Sequence, residues 1–166
     1  MILNDAQLDA QLLFDFKGII DEVTYKILLK LRESIEREVY DAGTPSPNDG
    51  YRRLKYMGGL IGSFEKLDTN ILGRTVEGSI KQDPMTMVND PDNFTHGSNF
   101  WNVTDDIRTM LSDIIIGGKS GDLFGPGFWR SPRDFWTPII EMLTNGEVDK
   151  LIENAMTIRG ITWRKV

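Results

Sequence analysis

The residues of this chain that are best suited to chemistry are few and scattered. The single histidine, His96, stands in FTHGS close to Asp90 and Asp92. An imidazole titrates near neutrality, so this trio could begin an acid–base pair or a metal site. Zinc sites draw on several histidines or cysteines, and the chain has one histidine and no cysteine. A carboxylate calcium site within NDPDN misses the EF-hand spacing. His96 therefore reads as a polar loop residue. GGKSG at 117–121 looks like a phosphate loop, but that motif needs a glycine where Asp113 stands, and a strand before it. The pair Asp105-Asp106 could serve a hydrolase, yet acids in the first turn of a helix need no reaction to explain them. Ser63 in GSF lacks the glycine-flanked elbow of a nucleophilic serine. The expectation is a protein without catalysis, metal or cofactor.

A different kind of chemistry is concentrated in GFWRSPRDFWTPIIEML, residues 127–143. Phe128-Trp129 and Phe135-Trp136 repeat one dipeptide within ten residues, with Arg130 and Arg133 among them. Aromatics with arginine suit single-stranded nucleic acid, and they are also enriched at the hot spots of protein interfaces. The chain has 25 acidic and 19 basic residues, a net charge of −6, which argues against a nucleic-acid grip. Phe135 and Trp136 are expected in the core. Phe128, Trp129, Arg130 and Arg133 are expected at a protein interface, together with Phe100 and Trp101 of a turn-rich loop at 89–102.

These residues need elements to position them. The 166 residues suit one domain, 1–166, and 40% hydrophobic content supplies a core. No apolar run approaches the roughly 20 residues that span a bilayer, and acids stand where a signal peptide would start basic. A soluble chain, made in cytoplasm, is expected. Leu8, Leu12 and Leu13 predict a short helix over 4–16, ended by Gly18. Val23, Ile27, Leu31, Ile35 and Val39 predict a long amphipathic helix over 21–42, with Leu31 and Ile35 in the core. Leu60, in the glycine-rich stretch 51–66, is a further core candidate. ILGRTVEGSI at 71–80 and MTMV at 85–88 read as strand. A helix follows Thr104, through Ile107 to Ile115, and is closed by Gly117 and Gly118. Ser131-Pro132 offers another helix start, with a kink at Pro138 or a restart capped by Thr137. Residues 147–156 resume the helical pattern after Asn145-Gly146, and TIRGITWRKV alternates like a final strand.

Some stretches carry a further signal. Gly58, Leu60 and Ser63 form a Gly-x-Leu-x-x-Ser element after the long helix. Pro132 and Arg133 lead into Phe135-Trp136-x-Pro138 at the C-terminal helix. Over residues 20–156 this order resembles the tail-completion family of tailed bacteriophages, also called head–tail joining or minor tail proteins. The family's Pro-Val-Asp-Thr before the first glycine is missing, with Met57 in the threonine position. Its Glu-x-Gly-Thr element has only an echo in Thr95-His96-Gly97-Ser98. Trp136 stands for the usual leucine and Ile139 for the alanine.

The resemblance implies an α+β fold: a small curved antiparallel sheet packed by a long N-terminal helix and a C-terminal helix. It implies a structural role in the virion, at the neck or upper tail, in a ring assembled in the host cytoplasm. Implied partners are other copies in the ring, head-connector or adaptor proteins, and tail terminator or tail tube proteins. An acidic ring can border a DNA passage without gripping phosphates. The alternatives are a small hydrolase using His96, a regulatory binding protein, and a nucleic-acid binder.

Overall fold

A computed structural model describes residues 5–41, 58–87, 108, 111–117 and 132–162. Helix α1 (Asp5–Ile35) continues into a π-helical turn at Glu36–Tyr40. A 3-10 turn at Ile61–Ser63 precedes strands β1 (Phe64–Lys66), β2 (Asn70–Leu72), β3 (Thr75–Glu77) and β4 (Ile80–Gln82). A second 3-10 turn, Pro84–Thr86, is followed by α2 (Leu111–Gly117), α3 (Thr137–Thr144) and α4 (Glu147–Ile158). The architecture is α+β. The strands form two separate two-stranded pairs, β1 with β4 and β2 with β3, where the resemblance implies one curved sheet.

The contacts of the chain group it into two compact units. The first comprises Met1–Lys30, Lys66–Lys81 and Ile139–Val166. Its core joins Ile19 and Val23 of α1 to Ala155 and Met156 of α4, with Phe16, Ile27, Val148, Leu151, Ile152 and Ile161 packed around them. Residues 19, 23 and 27 are four apart, so they share the helix face that meets α4. That packing explains why α1 runs through Gly18, against the expected stop. An interior glycine costs about 1 kcal/mol relative to alanine, and burial of one large apolar side chain returns more than that. The β2–β3 hairpin pairs Asn70 with Glu77, Ile71 with Val76 and Leu72 with Thr75. Gly73, at φ 64°, supplies the left-handed residue that its tight turn requires. Polar links tie the hairpin region to α1. Asp21 accepts from Lys66 Nζ at 2.5 Å and Thr69 Oγ1 at 2.9 Å, and Asp9 accepts from Arg74 at 2.5 Å.

The second unit comprises Leu31–Glu65 and Gln82–Pro138. Leu31, Ile35, Val39, Leu60, Ile61, Phe64, Met87, Ile115 and Phe135 are buried in it. Arg32 donates to the Phe64 carbonyl at 3.0 Å, and the Tyr40 hydroxyl accepts from the Leu60 amide at 3.1 Å. The Gln82 side chain exchanges hydrogen bonds with the Ser112 hydroxyl at 2.7 and 3.0 Å.

Several local expectations are corrected. The strand expected over 71–80 is a hairpin plus the start of β4, because Gly73-Arg74 reverses the chain. MTMV does not form the expected strand: Pro84–Thr86 is a 3-10 turn, held by the Asp83 carboxylate accepting from the Met85 amide at 3.0 Å. Pro132 does not start a helix; α3 begins at Thr137. Residues 157–162 hold the end of α4, a turn at Arg159-Gly160 and irregular backbone where a strand was expected. Thr104, expected to start a helix, lies outside the described residues.

Candidate interaction site

Residues 132–137 form a strap along the end of the long helix, and its hydrogen bonds explain its course. The Arg133 amide donates to the Ile115 carbonyl at 3.0 Å, joining the strap to α2. The Arg133 guanidinium donates to the Val39 carbonyl at 2.8 Å, in the π-helical turn. The Ser34 hydroxyl donates to the Phe135 carbonyl at 3.0 Å. Buried backbone carbonyls need such partners.

These bonds hold the aromatic pair in place. Phe135 is fully enclosed, and its ring meets Phe64 edge to face at 6.2 Å and 74°. Trp136 is half-buried, with its ring 5.7 Å from Phe64 and 5.5 Å from Phe135. Edge-to-face geometry suits the aromatic quadrupole. Asp134 then caps α3: one carboxylate oxygen accepts from the Trp136 amide at 3.0 Å and the Thr137 amide at 2.9 Å, the other from the Thr137 hydroxyl at 2.6 Å. The bond from the Thr137 hydroxyl, then those from the two amides, hold the Asp134 carboxyl below its ordinary value, against a smaller opposing effect of burial. The cap is Asp134, not the expected Thr137, because the carboxylate takes two free amides at once.

Leu31, Ile35 and Leu60 are buried with Phe135 in the same unit. Arg133 is half-buried, with its guanidinium on Val39. Phe128, Trp129, Arg130, Phe100 and Trp101 lie outside the described residues, as do His96, Asp90, Asp92, Asp105, Asp106 and Lys119. Ser63 is buried and its hydroxyl donates to the Leu60 carbonyl at 2.8 Å, which is a packing role. Sequence reading missed Asp134 and the reach of Arg133. The signal for Asp134 was available, since an aspartate shortly before Thr-Pro marks a helix start.

The first unit exposes several large apolar side chains. Phe14, Tyr25 and Leu29 on α1, Leu72 on the hairpin, Ile140 and Leu143 on α3 and Ile158 on α4 are all exposed. Ile140 and Leu143 are three residues apart and therefore neighbours on one face of α3. Among the described residues, no group of three or more potential metal ligands is present, and no helix is long and apolar enough to cross a membrane. Comparison with protein-family models, with curated proteins and with solved structures found no match to the chain.

Proposed function

We propose that the chain is a structural protein of a tailed-phage virion, acting at the neck or upper tail. It joins the tail to the head connector as part of a ring, contacting other copies, connector or adaptor proteins, and tail terminator or tube proteins. The observation that carries this reading is the meeting of the two sequence stretches that resemble the tail-completion family. Leu60 and Ser63 of the first stretch lead directly into Phe64, whose ring packs on Phe135 and Trp136 of the second. Arg133 of the second stretch fastens the strap to the long helix. Stretches about 70 residues apart in sequence thus share one core, as parts of one family pattern would.

Ile140 and Leu143, neighbours on the exposed face of α3, offer apolar surface of the kind such contacts would use. The net charge of −6 suits a wall past which DNA slides.

Removing the gene from the phage that encodes the chain tests the proposal. Filled heads and finished but unattached tails should accumulate, and purified chain should join them in vitro. Infectious, fully joined particles made without the chain would refute it.

A further inference from the structure

The turn between α3 and α4 sets an exposed side-chain amide beside an unengaged backbone nitrogen. Asn145 alone among the asparagines of the chain precedes a glycine. Its backbone amide donates to the Glu141 carbonyl at 2.8 Å, and its side chain is exposed. That side chain folds forward onto the first turn of α4. Oδ1 accepts from the Glu147 amide at 2.9 Å, and Nδ2 donates to the Glu147 carboxylate at 2.8 Å. The first bond makes an Asx turn. The hydrogen-bonded ring that it closes contains both Cγ of Asn145 and the backbone nitrogen of Gly146.

Gly146 stands at φ 85° and ψ 8°, a left-handed conformation that glycine adopts without strain. Its carbonyl accepts from the Lys150 amide at 3.2 Å, but its own amide donates to no group among the described residues. The space around it is open, since a Cβ there would meet nothing within 4 Å. This nitrogen therefore has neither a hydrogen bond to break nor a side chain to shield it.

We propose that Asn145 is a site of spontaneous covalent modification, in which the Gly146 nitrogen displaces the side-chain amide as ammonia. Hydroxide from solvent takes the proton of the Gly146 amide. After rotation about the Cα–C bond of Asn145, the nitrogen attacks Cγ, and the new C–N bond closes a cyclic imide. The Cγ–Nδ2 bond breaks, and Nδ2 leaves as ammonia with a proton returned by water. A further water opens the imide at either carbonyl, giving aspartate or isoaspartate at position 145. No oxidant, reductant or enzyme is needed.

Glu147 restrains the reaction. Its carboxylate holds Nδ2 in place, and its negative charge opposes loss of a proton nearby. The product in turn disturbs the start of α4. Aspartate has no donor where Nδ2 stood, so two carboxylates would meet across a hydrogen-bond distance. Isoaspartate lengthens the backbone by a methylene and displaces the turn at Gly146. Val148, Leu151 and Ile152, which pack against the Ile19 and Val23 core, lie just beyond that turn. The modified chain is therefore the less stable one.

This inference does not depend on the role in a virion, and its test is separate. The purified full chain is kept folded at mildly alkaline pH and digested at intervals. Mass spectrometry of the peptides, with chromatographic separation of the isomers, reads each asparagine. Asn145 should lose its amide ahead of every other asparagine, with both aspartate and isoaspartate as products. The aged chain should melt at a lower temperature, and Asn145→Gln should age without that fall. Glu147→Ala should speed the loss about threefold or more, because the bond that holds Nδ2 is gone. Asn145 outlasting the other asparagines, aspartate formed without isoaspartate, a rate unchanged by Glu147→Ala, or an aged chain that melts unaltered would overturn the inference.

Discussion

Phe135 touches Phe64 and Trp136 and is wholly enclosed, so its removal leaves a cavity that the surrounding backbone bonds hold open. Phe135→Ala should cost about 3–5 kcal/mol, read as a fall in the denaturant midpoint. An unchanged midpoint would contradict the packing described. Asp134 acts through its charge. Its carboxyl titrates below the ordinary value of 3.8 in the fold, so its stabilisation is fully present above that value and is lost as pH falls through the lowered one. Asp134→Ala should therefore cost about 1 kcal/mol at neutral pH, and the gap to the unchanged protein should close in acid. A gap independent of pH would remove the capping role. Phe135 was readable as core because its neighbours Pro132 and Pro138 bracket an apolar helix entry. The reach of Arg133 was not, since its acceptor Val39 lies 94 residues away and no local pattern encodes that distance.

At the scale of elements, two glycines make opposite predictions. Gly18 sits inside α1, and a Cβ there would meet only the Arg159 guanidinium at an ordinary contact distance of 3.7 Å. Gly18→Ala should stabilise the fold by about 0.5–1 kcal/mol, raising the melting temperature. At Gly78 a Cβ would overlap Thr24 Oγ1 and stand 2.9 Å from Ile20 Cγ2. Gly78→Ala should push this segment off α1 and destabilise by about 1–3 kcal/mol. Equal effects at the two sites would contradict the close approach. Helical periodicity through Val23, Ile27, Leu31 and Ile35 was legible because one face of the helix is buried along its length. The continuation through Gly18 was not, because the contacts that override its poor propensity come from α4, more than 120 residues later. The alternation in ILGRTVEGSI marked extended chain correctly, while the reversal at Gly73-Arg74 rests on a single positive φ. MTMV has strand composition, yet Asp83 and Pro84 before it build a turn.

For the whole molecule, the α+β class that the resemblance implied is the one observed. Two separate strand pairs were not legible, since pairing partners such as β1 and β4 are fixed by contacts distant in sequence. The proposed role rests on the exposed apolar groups of the first unit and on the aromatic segment Phe128-Trp129-Arg130, an expectation from sequence that lies outside the described residues. Trp129→Ala should leave the circular dichroism spectrum and melting unchanged while abolishing joining of heads to tails, with a contact loss of about 2 kcal/mol or more. Normal joining by that variant would take Trp129 out of the interface. The most direct measurement is immunogold electron microscopy, with an antibody to the chain, of tailed particles purified from lysates of cells that produce it. The account predicts label at the junction of head and tail; particles that carry none, or label confined to unassembled host lysate, would contradict it.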